Sequence, residues 1–115
     1  MPVKWLSPET LKSGVFTKKS DVWSFGILIW EIFTRCKTDP FPNESNHEAK
    51  QKILSGKAPL SPPPETHKFA VVVMNLCFVQ VPNDRPDFTA IFKLLIPGET
   101  PPIDANNEWD TYATK

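Results

Sequence analysis

Chemistry in this chain would have to come from a handful of groups. They are Glu9, Asp21 and Arg85 as charges, the string Pro2-Val3-Lys4-Trp5, the thiols Cys36 and Cys77, and the imidazoles His47 and His67. The cysteines have neither zinc-ligand spacing nor a nearby cysteine partner, so two free thiols in a reducing compartment are expected. The four glycines, Gly14, Gly26, Gly56 and Gly98, form no GxGxxG loop of the kind that cradles phosphate. Asp21 has the position of a first-turn acid, which stabilises orphan amides and the helix dipole. Proline and tryptophan in Pro2-Val3-Lys4-Trp5 make a stiff apolar turn, able to pack on a core or to hold a bound segment in place. Glu9 and the lysines do not add up to a catalytic site.

The elements that would position these groups are helical. Residues 2 to 19 read as loop with at most a short turn around Pro8 to Leu11. Ser7-Pro8-Glu9 starts that turn, since proline is tolerated there and an acid meets the helix dipole, and Gly14 punctuates it. Ser20-Asp21 opens the longest apolar segment, Val22 to Phe33, with no polar face wide enough for solvent. A helix apolar all round must be buried all round. Ser45-Asn46-His47-Glu48 fits a capping box, followed by an apolar stripe at Ala49, Ile53 and Leu54 and a stop at Gly56. Pro59 to Pro64 is an extended linker. Phe69 to Val81 is a second strongly apolar stretch, with Val71-Val72-Val73 weakening the helix signal. Asp87-Phe88-Thr89 opens a third helix through Leu95, ended by Ile96-Pro97-Gly98. Residues 96 to 115 are polar and aperiodic, a tail expected to be disordered.

Three strings stand in order: Pro2-Val3-Lys4-Trp5-Leu6-Ser7-Pro8-Glu9, then Ser20-Asp21-Val22-Trp23-Ser24-Phe25-Gly26 through Trp30-Glu31, then Pro82-Asn83-Asp84-Arg85-Pro86. Together they resemble the second half of a protein tyrosine kinase catalytic domain, over roughly residues 2 to 95. Ser45-Asn46 after Pro40-Phe41-Pro42-Asn43 looks most like the Fes/Fer non-receptor branch. The resemblance implies a mainly α fold, a partial C-terminal lobe of the protein kinase fold at residues 1–95 with helices around one central apolar helix. It implies that Pro2, Val3, Lys4 and Trp5 receive the peptide after the target tyrosine, because phosphoryl transfer depends chiefly on positioning and electrostatics. It implies a structural ion pair between Glu9, in Ser-Pro-Glu where the family usually has Ala-Pro-Glu, and Arg85. Removing one partner of such a pair costs on the order of 3–5 kcal/mol. Asp21 would start the central helix and, in the family, accept hydrogen bonds from the catalytic loop. Phe78 after Cys77 departs from the usual Cys-Trp but keeps an aromatic there.

The same resemblance makes absences informative. Neither His47 nor His67 is followed by Arg-Asp, and Asp87-Phe88-Thr89 lacks the glycine of the metal-binding motif and follows Arg85. No catalytic, cofactor-binding or metal-binding residue is therefore expected in this chain; ATP and Mg would bind in a full-length parent. Without a preceding helix and catalytic loop, part of Val22 to Phe33 should face water. Exposing ~200–300 Å² of apolar area forgoes roughly 5–8 kcal/mol. The expected function is a fragment of a protein tyrosine kinase acting on protein tyrosines. The alternative is a degenerate kinase lobe serving as a non-catalytic binding or regulatory module. Thirteen basic and thirteen acidic side chains cancel, so no nucleic-acid partner is expected. Val22 to Phe33 falls short of the ~20 residues a bilayer requires and no signal peptide is visible, so a cytoplasmic location is expected.

Overall fold

The computed structural model describes residues 3–35 and 37–98. The expectations for Pro2, for the Cys36 thiol and for the tail from residue 99 onward lie outside the described residues. Among the described residues the secondary structure is entirely helical. A short 3₁₀ turn at Val3–Trp5 leads to α1 (Pro8–Ser13), α2 (Lys18–Phe33), α3 (Asn46–Ile53), α4 (Lys68–Cys77) and α5 (Phe88–Leu95).

Side-chain caps set most helix starts. The Ser7 hydroxyl accepts the Thr10 amide at the start of α1, and Gly14 ends it at φ 72°. Ser45 and Glu48 form the expected reciprocal box on α3, and Asp87 accepts the Ala90 amide on α5. Asp87-Phe88-Thr89 is thus a helix start. One start differs from the sequence reading. The central helix begins at Lys18, not at Asp21, because Thr17 accepts the Lys19 and Ser20 amides while Ser20 accepts the Thr17 amide. Asp21 lies in the first turn, its own amide already bonded to the Thr17 carbonyl. The apolar Phe69 stretch is helical despite its valines, capped by His67 Nδ1 on the Phe69 amide.

The core gathers around α2. Val22, Trp23 and Ile27 are fully buried and pack in one core with Val73, Met74 and Cys77 from α4 and Phe78 at its C-cap, with Ala49, Ile53, Phe41 and Ile91 closing the rest. Trp23 and Phe78 pack edge to face at 5.1 Å between ring centroids, and Phe25 meets Phe88 at 5.6 Å. Gly26 is what lets α2 and α4 approach: a Cβ there would stand 2.7 Å from the Cys77 Cβ and 2.8 Å from the Phe78 ring. Burial of α2 is not complete. Leu28 is 47% and Ile32 55% exposed, so one stripe of the helix faces solvent although its residues are apolar.

Candidate functional site

The Val3–Trp5 turn sits against α2 and α3 and is fastened at three points. Lys4 Nζ donates to the Phe41 carbonyl at 3.0 Å. The Trp5 indole donates to Glu31 Oε1 at 2.8 Å, and Ser24 Oγ donates to the Trp5 carbonyl at 2.9 Å. The α2 residues are one helix face apart in sequence, seven residues, or two turns, so they grip the turn from two levels of the same helix. Phe41 holds its carbonyl toward Lys4 from a left-handed backbone at φ 55°, with its ring 1% exposed in the core. A non-glycine residue there costs of order 1–3 kcal/mol, which the buried ring offsets.

Glu9 and Arg85, 76 residues apart, meet in a two-point pair: Nη1 to Oε2 at 2.8 Å and Nη2 to Oε1 at 3.0 Å. The guanidinium also donates to three carbonyls, Val79 at 2.8 Å through Nε, Lys19 at 2.7 Å and Gln80 at 3.3 Å. All five of its N–H donors are therefore used, and its plane lies over Trp23 with Cζ 5.3 Å from the ring centroid. Lys19 Nζ returns a bond to the Arg85 carbonyl. Burial pushes the Glu9 pKa up, but the Arg85 hydrogen bonds and charge, with its own amide and Ser7, outweigh it and hold the carboxyl below its ordinary value. Because α1 follows the Val3–Trp5 turn directly, this pair fixes the turn's downstream end to the α4–α5 connection.

The remaining expected residues do not join this arrangement. Among the described residues no hydrogen bond or ion pair reaches the Asp21 carboxyl, and desolvation raises its pKa. Cys77 is buried in the α2–α4 contact and its thiol is pushed up to about 12, chiefly by desolvation against a smaller opposing pull from Arg85; it is a core residue and no nucleophile. No group of three or more His, Cys, Asp or Glu side chains is placed to hold a metal ion among the described residues. No helix of the described residues is long and apolar enough to cross a membrane.

Sequence reasoning missed Glu31, Ser24 and the Phe41 carbonyl as the partners of the turn. The one usable signal was Glu31 itself, the single acid in the otherwise apolar Val22 to Phe33 run. An acid on such a surface needs a donor, and the nearest in space is an indole 26 positions away.

Comparison with known proteins adds what geometry cannot. A sequence profile described as protein tyrosine and serine/threonine kinase matches residues 1–95. A putative molluscan insulin-related peptide(s) receptor of Lymnaea stagnalis is 38% identical over 104 residues, covering 90% of this chain and 6% of that protein. Protein-tyrosine kinase 6 of Homo sapiens is 44% identical over 94 residues, 79% of this chain and 20% of that protein. Proto-oncogene tyrosine-protein kinase ROS of Homo sapiens is 43% identical over 91 residues, 79% of this chain and 4% of that protein. The chain thus spans a fifth or less of the length of these curated relatives. With a profile match over residues 1–95 and a helical architecture carrying the Glu9–Arg85 pair, this chain belongs to the protein tyrosine and serine/threonine kinase family.

Proposed function

We propose that this chain is the peptide-receiving, helical part of a protein tyrosine kinase catalytic domain, and that its parent transfers the ATP γ-phosphate to protein tyrosines. Pro2, Val3, Lys4 and Trp5 hold the substrate segment after the target tyrosine, while ATP and Mg bind residues outside this chain. The observation that carries this reading is the three-point attachment of Lys4 and Trp5 to Phe41, Glu31 and Ser24. A shelf that positions a hydroxyl for in-line transfer must be rigid, because a small misplacement is expensive in rate. The relatives named as tyrosine kinases support the substrate class. A cytoplasmic location and the finer kinship with the Fes/Fer branch belong to the same reading. The non-catalytic module is not favoured, since the relatives cited are kinases and receptors rather than binding modules.

Two assays test it. The pure 115-residue chain with radiolabelled ATP and a tyrosine peptide should give no transfer, and ATP-dependent labelling would refute the division of labour. In an active parent containing residues 1–115, Trp5→Ala should raise KM for a tyrosine peptide by about tenfold, a loss of ~1.4 kcal/mol of binding, with a smaller change in the KM for ATP. Equal effects on both substrates would show that Trp5 supports the fold instead of the peptide.

A further inference from the structure

Glu31 is an acid where local rules argue against one. It stands in the last turn of α2, at the negative end of the helix dipole, where a cation is favoured and an acid is not. That turn holds no basic residue to offset it. Its neighbours in sequence, Ile29, Trp30, Ile32 and Phe33, are all apolar, and Glu31 itself is half-buried. Leucine or glutamine would suit the helix as well. A residue that breaks a local rule without a local gain marks a site kept for something beyond its own element.

What the acid gains is Trp5. Among the described residues the Trp5 indole is the donor that reaches the Glu31 carboxyl, at 2.8 Å to Oε1. The carboxyl stands on a fixed base. Thr34 Oγ1 donates to the Glu31 carbonyl at 2.9 Å, the Thr34 amide to the Trp30 carbonyl at 3.0 Å, and the Trp30 indole to the Ser61 carbonyl at 3.1 Å. At the other end of Trp5, Ser24 Oγ holds the main-chain carbonyl at 2.9 Å. A tryptophan side chain turns about two torsions only. One anchor on its main chain and one on its ring nitrogen therefore leave it a single orientation. Desolvation does not demand the pair, because Trp5 is half-buried and its N–H could be given to water. A hydrogen bond to a carboxylate is also roughly twice as strong as one between neutral groups, which is what an acid adds over glutamine here.

We propose that Glu31 is a positioning residue for the peptide substrate: its carboxylate fixes the Trp5 indole in the orientation that meets the peptide, before the peptide arrives. The inference rests on the reading of Pro2 to Trp5 as the peptide-receiving shelf, and it adds the residue that sets the shelf's one large ring. Glu31 acts through Trp5 and makes no contact of its own with peptide or ATP in this role. A ring already held in its bound orientation loses no rotamer freedom on binding, so the gain appears in the affinity and placement of the peptide.

Steady-state kinetics of an active parent containing residues 1–115 test this with substitutions at both ends of the bond. Glu31→Leu removes the acceptor and should raise the KM for a tyrosine peptide about tenfold, with the KM for ATP changed by less than about twofold. Glu31→Gln keeps an uncharged acceptor and should raise the peptide KM only about threefold. Trp5→Phe keeps a ring and deletes the N–H, so it should raise the peptide KM about as much as Glu31→Leu, and the double variant should go no further than the larger single effect. Multiplying effects overturn the proposal, because Glu31 then acts apart from Trp5. A parallel rise in both KM values also overturns it, because position 31 then serves the fold. A peptide KM that rises in Trp5→Ala and stays put in Glu31→Leu keeps the shelf and rejects Glu31. No change in either rejects the shelf and this inference together. Should Glu31→Leu give no folded parent, Trp5→Phe and Glu31→Gln are read instead, and an unchanged peptide KM in Trp5→Phe overturns the proposal.

Discussion

Arg85 is 1% exposed and uses every donor it has, two on Glu9 and three on the carbonyls of Val79, Gln80 and Lys19. Lysine offers three donors from a point charge and cannot reproduce that fork. Arg85→Lys should therefore lose about 2–4 kcal/mol in urea unfolding, from unpaired buried carbonyls at ~1–3 kcal/mol each. Glu9→Gln should lose less, because the Glu9 side chain keeps 18% exposure and an amide retains one hydrogen bond. A loss below about 1 kcal/mol for Arg85→Lys would show that the pair does not hold the fold. The pH dependence has a definite sign. Glu9 ionises below its ordinary 4.5 in the folded chain, so its contribution is complete above that value and disappears as the pH falls through the lower folded value. The gap between wild type and Glu9→Gln in urea midpoint should narrow as the pH drops from about 7 to about 3. Asp21 runs the other way: desolvation raises its pKa, so ionisation costs stability and Asp21→Asn should not weaken the chain at neutral pH.

At the scale of elements, α2 is the shared wall of everything described. It packs along α4 on one side and presents Ser24 and Glu31 to the Val3–Trp5 turn on another. Glycine inside a helix normally costs about 1 kcal/mol relative to alanine. At Gly26 the preference reverses, because the added methyl would meet the Cys77 Cβ at 2.7 Å, an atom anchored to the α4 backbone. Gly26→Ala should destabilise by about 1–3 kcal/mol through overpacking, measured as a lower thermal midpoint. A gain in stability would mean that the two helices slide apart freely. Ser45→Ala should cost about 1 kcal/mol by removing the cap on the Glu48 amide. The cost should appear first as faster amide exchange in α3, whose Ala49 and Ile53 are fully buried against the core.

Across the whole molecule, the open apolar stripe is the feature most at odds with a free-standing domain. Leu28 and Ile32 leave about half of each residue in water on the one helix whose sequence has no polar face. Leu28→Glu should raise the solubility of the 115-residue chain with little loss of stability, read by sedimentation and by urea midpoint; unchanged self-association would place the sticky surface elsewhere. Much of the architecture was legible without coordinates. The Ser7, Ser45 and Asp87 caps, the stops at Gly14, Gly56 and Gly98 and the helical identity of Val22 to Phe33 all follow from local rules, because a cap or a left-handed glycine needs only its neighbours in sequence. The start of α2 was misplaced by three residues, because a basic Lys18-Lys19 pair hid a Thr17–Ser20 box behind an unremarkable first turn. Sequence strings also singled out Glu9 and Arg85, which the structure pairs, and the residues of the Val3–Trp5 turn. They could not say which side chains hold the turn, which stripe of α2 stays open, or why position 26 must be glycine. Those are contacts between residues 19 to 76 positions apart, and only the three-dimensional packing of α2 against its neighbours brings such residues together.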